Sequence, residues 1–202
     1  MRSLLCLLIA LCAGEAAAQY GVVGTKPRQI FRDARRTCSV YDDYVVVSAN
    51  HENSLGQDIA VFPASAAETT ELCWIMPRDT SEFRPVFFSG EPDDWSYFFG
   101  MLGPYLFIDS GSGPEDRGLD VYDVETGEAV YAGSYWSNDA VETVGPDRIT
   151  FYLSLWGDQS ERSCPEAEVE EWPWYGFEER VELDLTTGEV ERTGEVKCSY
   201  RM

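Results

Sequence analysis

Histidine, lysine and long hydrophobic runs are all scarce in this chain. Of its 202 residues one is histidine, His51, and two are lysine, Lys26 and Lys197. A Ser-His-acid triad would need His51, and there is no Gly-x-Ser-x-Gly nucleophile elbow; we therefore interpret His51 as a solvated turn residue. After residue 12 no apolar run approaches the ~20 residues that a membrane-spanning helix needs. The sequence thus predicts no membrane span and argues against a serine hydrolase.

The N-terminus has the pattern of a secretory signal peptide. Arg2 precedes an unbroken apolar run from Leu4 to Cys12, and small residues follow up to Ala18. This pattern predicts a signal peptide over residues 1–18, cleaved after Ala18, and a secreted or periplasmic mature chain of 184 residues. A lipoprotein anchored through Cys12 is the alternative, and the bulky Leu11 disfavours it.

Two disulfides fit such an export route. Cys6 and Cys12 leave with the signal, and the remaining four cysteines allow three pairings. We favour the two pairs with nearly equal separations, 35 and 34 residues: Cys38–Cys73 and Cys164–Cys198. Zinc is the rival interpretation, but no two of these cysteines form a Cys-x₂₋₄-Cys pair. We predict no metal and no cofactor.

The charge is strongly negative and unevenly distributed. The net charge is −21, yet residues 26–36 hold five cationic side chains and one carboxylate, a net +4. An acidic body argues against nucleic acid or an anionic membrane as the partner. We predict that the basic N-terminal segment, 19–37, lies against the acidic body, with contact to an anionic surface as the alternative. High net charge also leaves open a cation-dependent structural protein of high-salt conditions.

Short strands dominate the remaining pattern. Period-two runs rich in Val, Ile, Tyr, Phe and Trp alternate with Gly, Pro, Asn, Asp and Ser clusters. They predict an all-β antiparallel meander of about a dozen short strands in one domain, 38–202, and a single helix at Gln29–Thr37. The predicted strands are Tyr44–Ser48, Asp58–Phe62, Thr70–Met76, Pro85–Ser89, Ser96–Met101, Tyr105–Asp109, Leu119–Val124, Glu128–Ala132, Arg148–Leu155, Arg180–Leu185 and Glu189–Cys198.

An Asp-x-x-Thr-Gly-Glu turn occurs twice, each time between strand-like runs. The two turn glycines, Gly127 and Gly188, are 61 residues apart, whereas the Gly-Pro pairs that open each unit, at 103 and 145, are 42 apart. The second unit therefore carries about nineteen extra residues, within 157–177. A degenerate earlier unit spans 44–63. Glycine supplies positive φ and Asp accepts turn N–H bonds, so Asp123 and Asp184 are predicted turn-formers.

This hairpin resembles the repeat of quinoprotein-type β-propellers, whose pattern is Asp-x-x-Thr-Gly-x-x-x-Trp. The first copy matches at Asp123, Thr126 and Gly127, with Tyr131 in place of Trp; the second matches at Asp184, Thr187 and Gly188, with Arg192 there. The resemblance implies a propeller-like fold, small or open because the chain is short, in which these residues join adjacent blades. It does not imply a quinone cofactor.

Acidic side chains raise two further possibilities. Paired carboxylates at Asp93 and Asp94, or at Glu115 and Asp116, are of the kind that hydrolyses glycosides. The loop 109–120 is rich in glycine and acidic residues and could offer oxygens to calcium, but it lacks the EF-hand pattern. We interpret both as solvated loops.

The insertion 157–177 is the best candidate for a ligand surface. Trp172, Trp174 and Tyr175 lie close together beside several glutamates, and exposed aromatics next to carboxylates stack on sugars or contact a basic partner. The alternative is that these rings cover the end of the core. We therefore expect an exported, non-catalytic binding or scaffold module for a protein or glycan, with a secreted carboxylate-dependent glycan hydrolase as the alternative.

Overall fold

The computed structural model describes residues 23–52, 54–79, 83–90, 95–111, 116–137, 139–155, 164 and 175–200. In these ranges the chain is all-β and antiparallel apart from one short helix and one parallel pairing, as predicted. The strands are β1 (Val23–Gly24), β2 (Gln29–Arg32), β3 (Arg36–Val40), β4 (Tyr44–Asn50), β5 (Gln57–Pro63), β6 (Phe87–Ser89), β7 (Ser96–Leu102), β8 (Tyr105–Ser110), β9 (Asp116–Asp123), β10 (Ala129–Trp136), β11 (Glu142–Thr143), β12 (Arg148–Ser154), β13 (Tyr175–Asp184) and β14 (Val190–Tyr200). The helix is α1 (Thr69–Trp74). The predicted signal peptide, 1–18, lies outside the described residues.

The strands form three sheets that follow one another along the chain. The first sheet has the order β2-β3-β4-β5-β6, the second β1-β7-β8-β9-β10 and the third β11-β12-β13-β14. Apart from β1, which pairs in parallel with β7, every pairing joins antiparallel strands that are consecutive in the chain. Each sheet is therefore built mainly of strands that follow one another in the chain, and α1 lies in the connection between β5 and β6.

Two apolar layers hold the three sheets together. One face of the first sheet packs on the second through Val46, Val61, Leu106 and Ile108. The opposite face of the second sheet packs on the third through residues that include Phe107, Val121, Phe151 and Val181. Complete burial of a large apolar side chain contributes about 1.5–3 kcal/mol. The second sheet is thus the centre of the stack.

The free face of the first sheet is covered by α1. Val45, Val47 and Phe62 are fully buried on this face, and Leu72 of α1 packs against them. The predicted strand Thr70–Met76 is therefore wrong: it contains most of the helix. The segment alternates enough to suggest a strand, but it has no neighbouring strand to pair with, and the helix instead places adjacent Leu72 and Cys73 against the sheet.

The predicted helix Gln29–Thr37 is also wrong, because this segment forms the β2–β3 hairpin. Its turn is held by Asp33, whose carboxylate accepts backbone N–H bonds from Arg35 at 2.8 Å and Arg36 at 2.9 Å. The Asp33 N–H donates to the Arg36 carbonyl at 3.1 Å. An Asp that bonds the backbone ahead of it favours a turn over a helix interior.

Both predicted disulfides are present. Cys38–Cys73 joins β3 to α1 with a Cα–Cα distance of 5.3 Å, and Cys164–Cys198 joins Cys164 to β14 at 5.9 Å. They close loops of 35 and 34 residues, for which the chain-entropy argument predicts about 3–4 kcal/mol each. One bridge thus serves the first sheet and the other the third.

The two Asp-x-x-Thr-Gly-Glu turns have the same hydrogen bonds, so the predicted turn role of their aspartates is confirmed. Asp123 accepts the N–H groups of the residues two and three positions later at 2.8 and 3.4 Å, and Asp184 does so at 2.9 and 3.2 Å. Gly127 and Gly188 have φ of 76° and 72°. A side chain at Gly188 would collide with the Val130 carbonyl of β10 in the second sheet.

Three equivalent units emerge from the register. Tyr44 pairs with Pro63, Tyr105 with Asp123, and Arg148 with Asp184. One further backbone bond follows each pair. Its donors are the N–H groups of Ala64, Val124 and Leu185, and its acceptors are the carbonyls of Asp43, Pro104 and Asp147, at 2.8, 3.0 and 2.8 Å respectively. Segment 44–63 therefore has the geometry of the other two units although it lacks their turn sequence.

Candidate functional site

An open apolar feature lies at the free end of the first sheet, between β2 and α1. A cleft of about 310 Å³ is lined by Ile30, Phe31, Arg32, Asp33, Arg36, Thr70, Cys73 and Trp74. Trp74 is 69% exposed and Phe31 43% exposed. Exposed aromatics of this size in a concave surface favour ligand contact over simple core packing. We call these eight residues the β2–α1 cleft.

The covalent frame of the cleft explains why its aromatics stay at the surface. Phe31 is paired with Cys38 across the β2–β3 ladder, so the two side chains share a face of the first sheet. The Cys38–Cys73 bridge holds α1 over that face. Trp74 follows Cys73 directly, at the last position of the helix, and is directed away from the core that Leu72 enters.

Arg36 fixes the rim of the cleft. Its guanidinium lies 4.8 Å from the centre of the Trp74 ring, in cation–π contact, and donates to the Trp74 carbonyl at 2.6 Å. It also pairs with the Asp33 carboxylate at 2.6 Å. The Arg35 backbone N–H and the Arg36 side chain lower the pKa of Asp33 below its ordinary value. Asp33 is therefore ionised at neutral pH and occupied by its neighbours.

The basic segment is partly neutralised by the body, as predicted. Arg28 pairs with Asp42 at 3.1 Å and Arg35 with Glu52 at 2.8 Å, and all four side chains are largely exposed. Together with the Arg36–Asp33 pair, these contacts leave Lys26 and Arg32 as the cations of this segment that have no ion pair within the described residues.

The predicted ligand residues fall mostly outside the described residues. This applies to Trp172 and Trp174. Tyr175 opens β13, is 38% exposed, and meets Phe177 edge-on with 5.9 Å between ring centres. Phe177 packs beside the buried Cys164–Cys198 bridge. Tyr175 therefore remains at the surface while its neighbour enters a small core.

His51 lies in the β4–β5 turn, but its side chain is only 6% exposed, so its predicted solvation is wrong. Nε2 lies 3.1 Å from Asp58 Oδ1, and Nδ1 lies 3.1 Å from both the Leu55 carbonyl and the Ser54 hydroxyl. Arg78 donates to the other Asp58 oxygen at 2.6 Å. The Asp58 carboxylate oxygen can only accept, so in the neutral ring Nε2 carries the proton and Nδ1 is an acceptor for the Ser54 hydroxyl. These contacts tie His51 to two other residues of the same turn region.

In loop 109–120, for which calcium binding is the alternative to a solvated loop, the first carboxylate is bonded by side chains of the same sheet. Asp109 receives Arg117 Nε at 2.7 Å and the Tyr135 hydroxyl at 2.9 Å. Burial, and then the Asp109 carboxylate, raise the pKa of Tyr135. Within the described ranges no three His, Cys, Asp or Glu side chains form a group that could hold a metal ion.

The candidate carboxylate pairs are mainly outside the described residues as well. Asp93, Asp94 and Glu115 lie there, whereas Asp116 opens β9 and accepts a hydrogen bond from the Ser154 hydroxyl.

The β2–α1 cleft is not among the features predicted from the sequence. The basic residues of 26–36 stand out by charge, but the pattern predicts a helix at Gln29–Thr37 and a strand at Thr70–Met76, which includes Trp74. The available signal was the Asp33 turn between two short runs, since an Asp that precedes Ala-Arg-Arg can close a hairpin. The place of Trp74 in the cleft depends on the Cys38–Cys73 disulfide, which holds α1 beside β2.

Comparison with protein-family models, with curated proteins and with solved structures gave no match. In the portion of the chain that the structure describes, no helix combines the length and hydrophobicity needed to cross a membrane. The two disulfides are consistent with an extracellular or otherwise oxidising compartment.

Proposed function

We propose that this chain is an exported, non-catalytic binding module built as a small, open propeller-like array of three blades. The observation that carries the proposal is the β2–α1 cleft, an aromatic concavity rimmed by arginine. Binding sites commonly lie at the edges of rigid β scaffolds. The matching turn geometry of the two Asp-x-x-Thr-Gly hairpins supports the resemblance to propeller repeats.

A rigid frame favours a binding role. The disulfide, the Arg36–Trp74 contact and the Asp33 turn each restrict one side of the cleft. A preorganised surface loses less conformational entropy when a ligand binds. The aromatic insertion at 157–177 is the second candidate surface for the same function, and the two candidates can be separated by mutation.

The test is a binding screen over displayed peptides and glycan arrays with three variants. In the first, Phe31→Ala is combined with Trp74→Ala; in the second, Trp172→Ala is combined with Trp174→Ala; the third, Trp95→Ala, is a control for loss of an exposed Trp outside the cleft. We expect the first variant to lose ligand while its melting temperature stays within a few degrees of wild type, since both side chains are largely exposed.

Two results would contradict the proposal. One is a first variant that unfolds, because its aromatics would then be core residues. The other is glycan turnover by the wild-type chain that disappears in Asp94→Asn or Glu115→Gln, because that result would identify the hydrolase instead.

A further inference from the structure

The cleft is bordered by an edge strand whose outer side has no neighbour in the described chain. β2 is the end strand of the first sheet and pairs only with β3. All four of its residues are exposed, including Ile30 at 47%. An unprotected edge strand offers a row of backbone N–H and C=O groups to another extended segment.

The register identifies the backbone groups that face outward. The Asp33 N–H bonds to the Arg36 carbonyl, and hydrogen-bonded pairs recur at every second residue of an antiparallel ladder. The backbone N–H and C=O groups of Gln29 and Phe31 therefore point toward β3. The N–H groups of Ile30 and Arg32 are left pointing away from β3.

The two faces of β2 differ in chemistry. Phe31 lies on the α1 side, where the exposed Trp74 ring extends the apolar surface. Ile30 and Arg32 alternate with Phe31 along β2, so their side chains start from its other face, although both residues also line the cleft. A strand added at this edge would therefore meet aromatic rings and the Arg36 guanidinium on one face and the Arg32 guanidinium on the other.

Charge then selects the occupant. The arginines of two copies of β2 would repel each other, because like charges on adjacent strands are destabilising. An acidic strand would be attracted, and electrostatic complementarity both steers and selects partners. On a protein of net charge −21, residues 26–36, which contain β2, carry a net charge of +4, and Arg32 forms no ion pair within the described residues.

We propose that β2 binds an acidic, extended peptide segment of a partner protein as an added β-strand. The segment alternates carboxylate side chains, one of which faces Arg32, with apolar side chains that enter the β2–α1 cleft beside Phe31 and Trp74. This inference rests on the proposed binding function and names its partner class.

The probe is a synthetic eight-residue peptide that alternates Glu with Val and Phe, carries a fluorophore and has capped ends. Two control peptides keep the length: one replaces every Glu by Lys, and one is N-methylated at alternate residues so that one edge cannot donate hydrogen bonds. Binding is followed by fluorescence anisotropy at two salt concentrations. We expect only the unmodified acidic peptide to bind, and to bind more weakly at the higher salt concentration.

The decisive protein variant is Ile30→Pro. Proline is tolerated on an edge strand where its missing N–H would face solvent, so the β2–β3 ladder stays intact and only the outward donor is lost. We expect at least about tenfold weaker peptide binding with little change in melting temperature. Ile30→Val keeps the N–H and should bind like wild type. Arg32→Glu should weaken binding by at least about tenfold, and Arg84→Glu, outside the cleft, should not.

Hydrogen exchange provides a readout that does not depend on affinity. The amides of Ile30 and Arg32 should become protected when the acidic peptide is added. Equal binding of the Lys peptide would overturn the charge argument, and equal binding of the N-methylated peptide would overturn strand addition. Concentration-dependent self-association that Ile30→Pro abolishes would overturn the assignment by making a second copy the occupant.

The peptide experiment and the library screen test the added-strand proposal and the proposed binding function separately. If no acidic peptide binds while Phe31→Ala with Trp74→Ala still removes a library ligand, the cleft binds something else. If that double variant also leaves library binding unchanged, the cleft is not the binding surface.

Discussion

The outer faces at the two ends of the three-sheet stack differ: that of the first sheet is apolar and covered by α1, and that of the third sheet is polar. At equivalent register positions the first sheet presents the cross-strand pair Val46 and Val61 to the second sheet, and the second presents Phe107 and Val121 to the third. The third sheet has Thr150 and Glu182 at this position. Its outward face has no apolar pair there with which to hold a fourth sheet.

Polar contacts cover this last face. Arg180 donates to the Thr150 hydroxyl at 3.2 Å, Arg148 to Glu182 at 2.6 Å, and Tyr152 to Glu195 at 2.9 Å. The first end remains apolar and is covered instead by α1 and its disulfide. Terminal repeats of stacked arrays need such a polar or covered end. At this position the outward face of the third sheet therefore offers no apolar surface on which a further sheet could pack.

The largest expected difference between the ends is in stability. Phe62→Ala removes a fully buried ring under α1 and should lower the free energy of unfolding by about 3–5 kcal/mol. Tyr152→Ala on the outward face of the third sheet should cost about 1 kcal/mol, because it removes one exposed hydrogen bond and a Lys197 contact. Urea denaturation of both variants measures the difference, and equal costs would mean that the third sheet is also covered by an apolar layer.

The two disulfides should restrict the unfolded chain to a similar degree, but their removal should affect the folded structure differently. Removing either bridge with paired Cys→Ala changes should cost about 3–4 kcal/mol, since the closed loops have 35 and 34 residues. Only loss of Cys38–Cys73 releases α1 from an apolar sheet face. We therefore expect increased binding of a hydrophobic dye for that variant alone, measured by fluorescence below the unfolding transition. A similar increase for Cys164→Ala with Cys198→Ala would remove the contrast.

A smaller effect is expected at the two matched turns. Asp123→Ala and Asp184→Ala each remove the acceptor of two turn N–H bonds, and Asp184 also accepts from the Thr186 hydroxyl at 2.6 Å. Each change should cost about 1 kcal/mol, with Asp184→Ala the larger. Thermal melts of both variants measure this order. A larger loss of stability in Asp123→Ala than in Asp184→Ala would contradict this order.

The smallest expected effect is a dependence of stability on pH. Bonds from the Thr186 side chain and backbone lower the pKa of Asp184 below its ordinary 3.8, and the Arg35 backbone and Arg36 side chain do the same for Asp33. A carboxyl whose folded pKa is depressed stabilises the protein above its unfolded pKa. That stability is lost as the pH falls through the folded value.

We therefore expect both ends of the stack to lose stability below about pH 4. Denaturation at a series of pH values checks this, with Asp33→Asn and Asp184→Asn as the matched variants. Each substitution should flatten the acid limb of the stability curve. An acid limb that neither variant alters would place the responsible carboxyls elsewhere.

Prediction from sequence succeeded where the physics is local. The strands at 44–48, 58–62 and 105–109 were found because alternation and flanking turn residues lie within a few positions of one another. The turns at Asp123 and Asp184 follow from Asp, Thr and Gly side chains acting on their own backbone. The candidate site was only half visible: the cations of 26–36 were recognised, but the cleft that they border was not.

The all-β class and the paired turns follow from spacing along the chain, and spacing also favours the observed disulfides over the other possible pairings. That 29–37 is a hairpin and Thr69–Trp74 a helix depends on contacts made in the tertiary structure. Hairpin pairing needs a partner strand, and a six-residue helix is too short to be stable alone. It persists because the apolar face of the first sheet needs a cover and the Cys38–Cys73 bridge holds one there. The same bridge leaves Trp74 beside Phe31, and so creates the β2–α1 cleft.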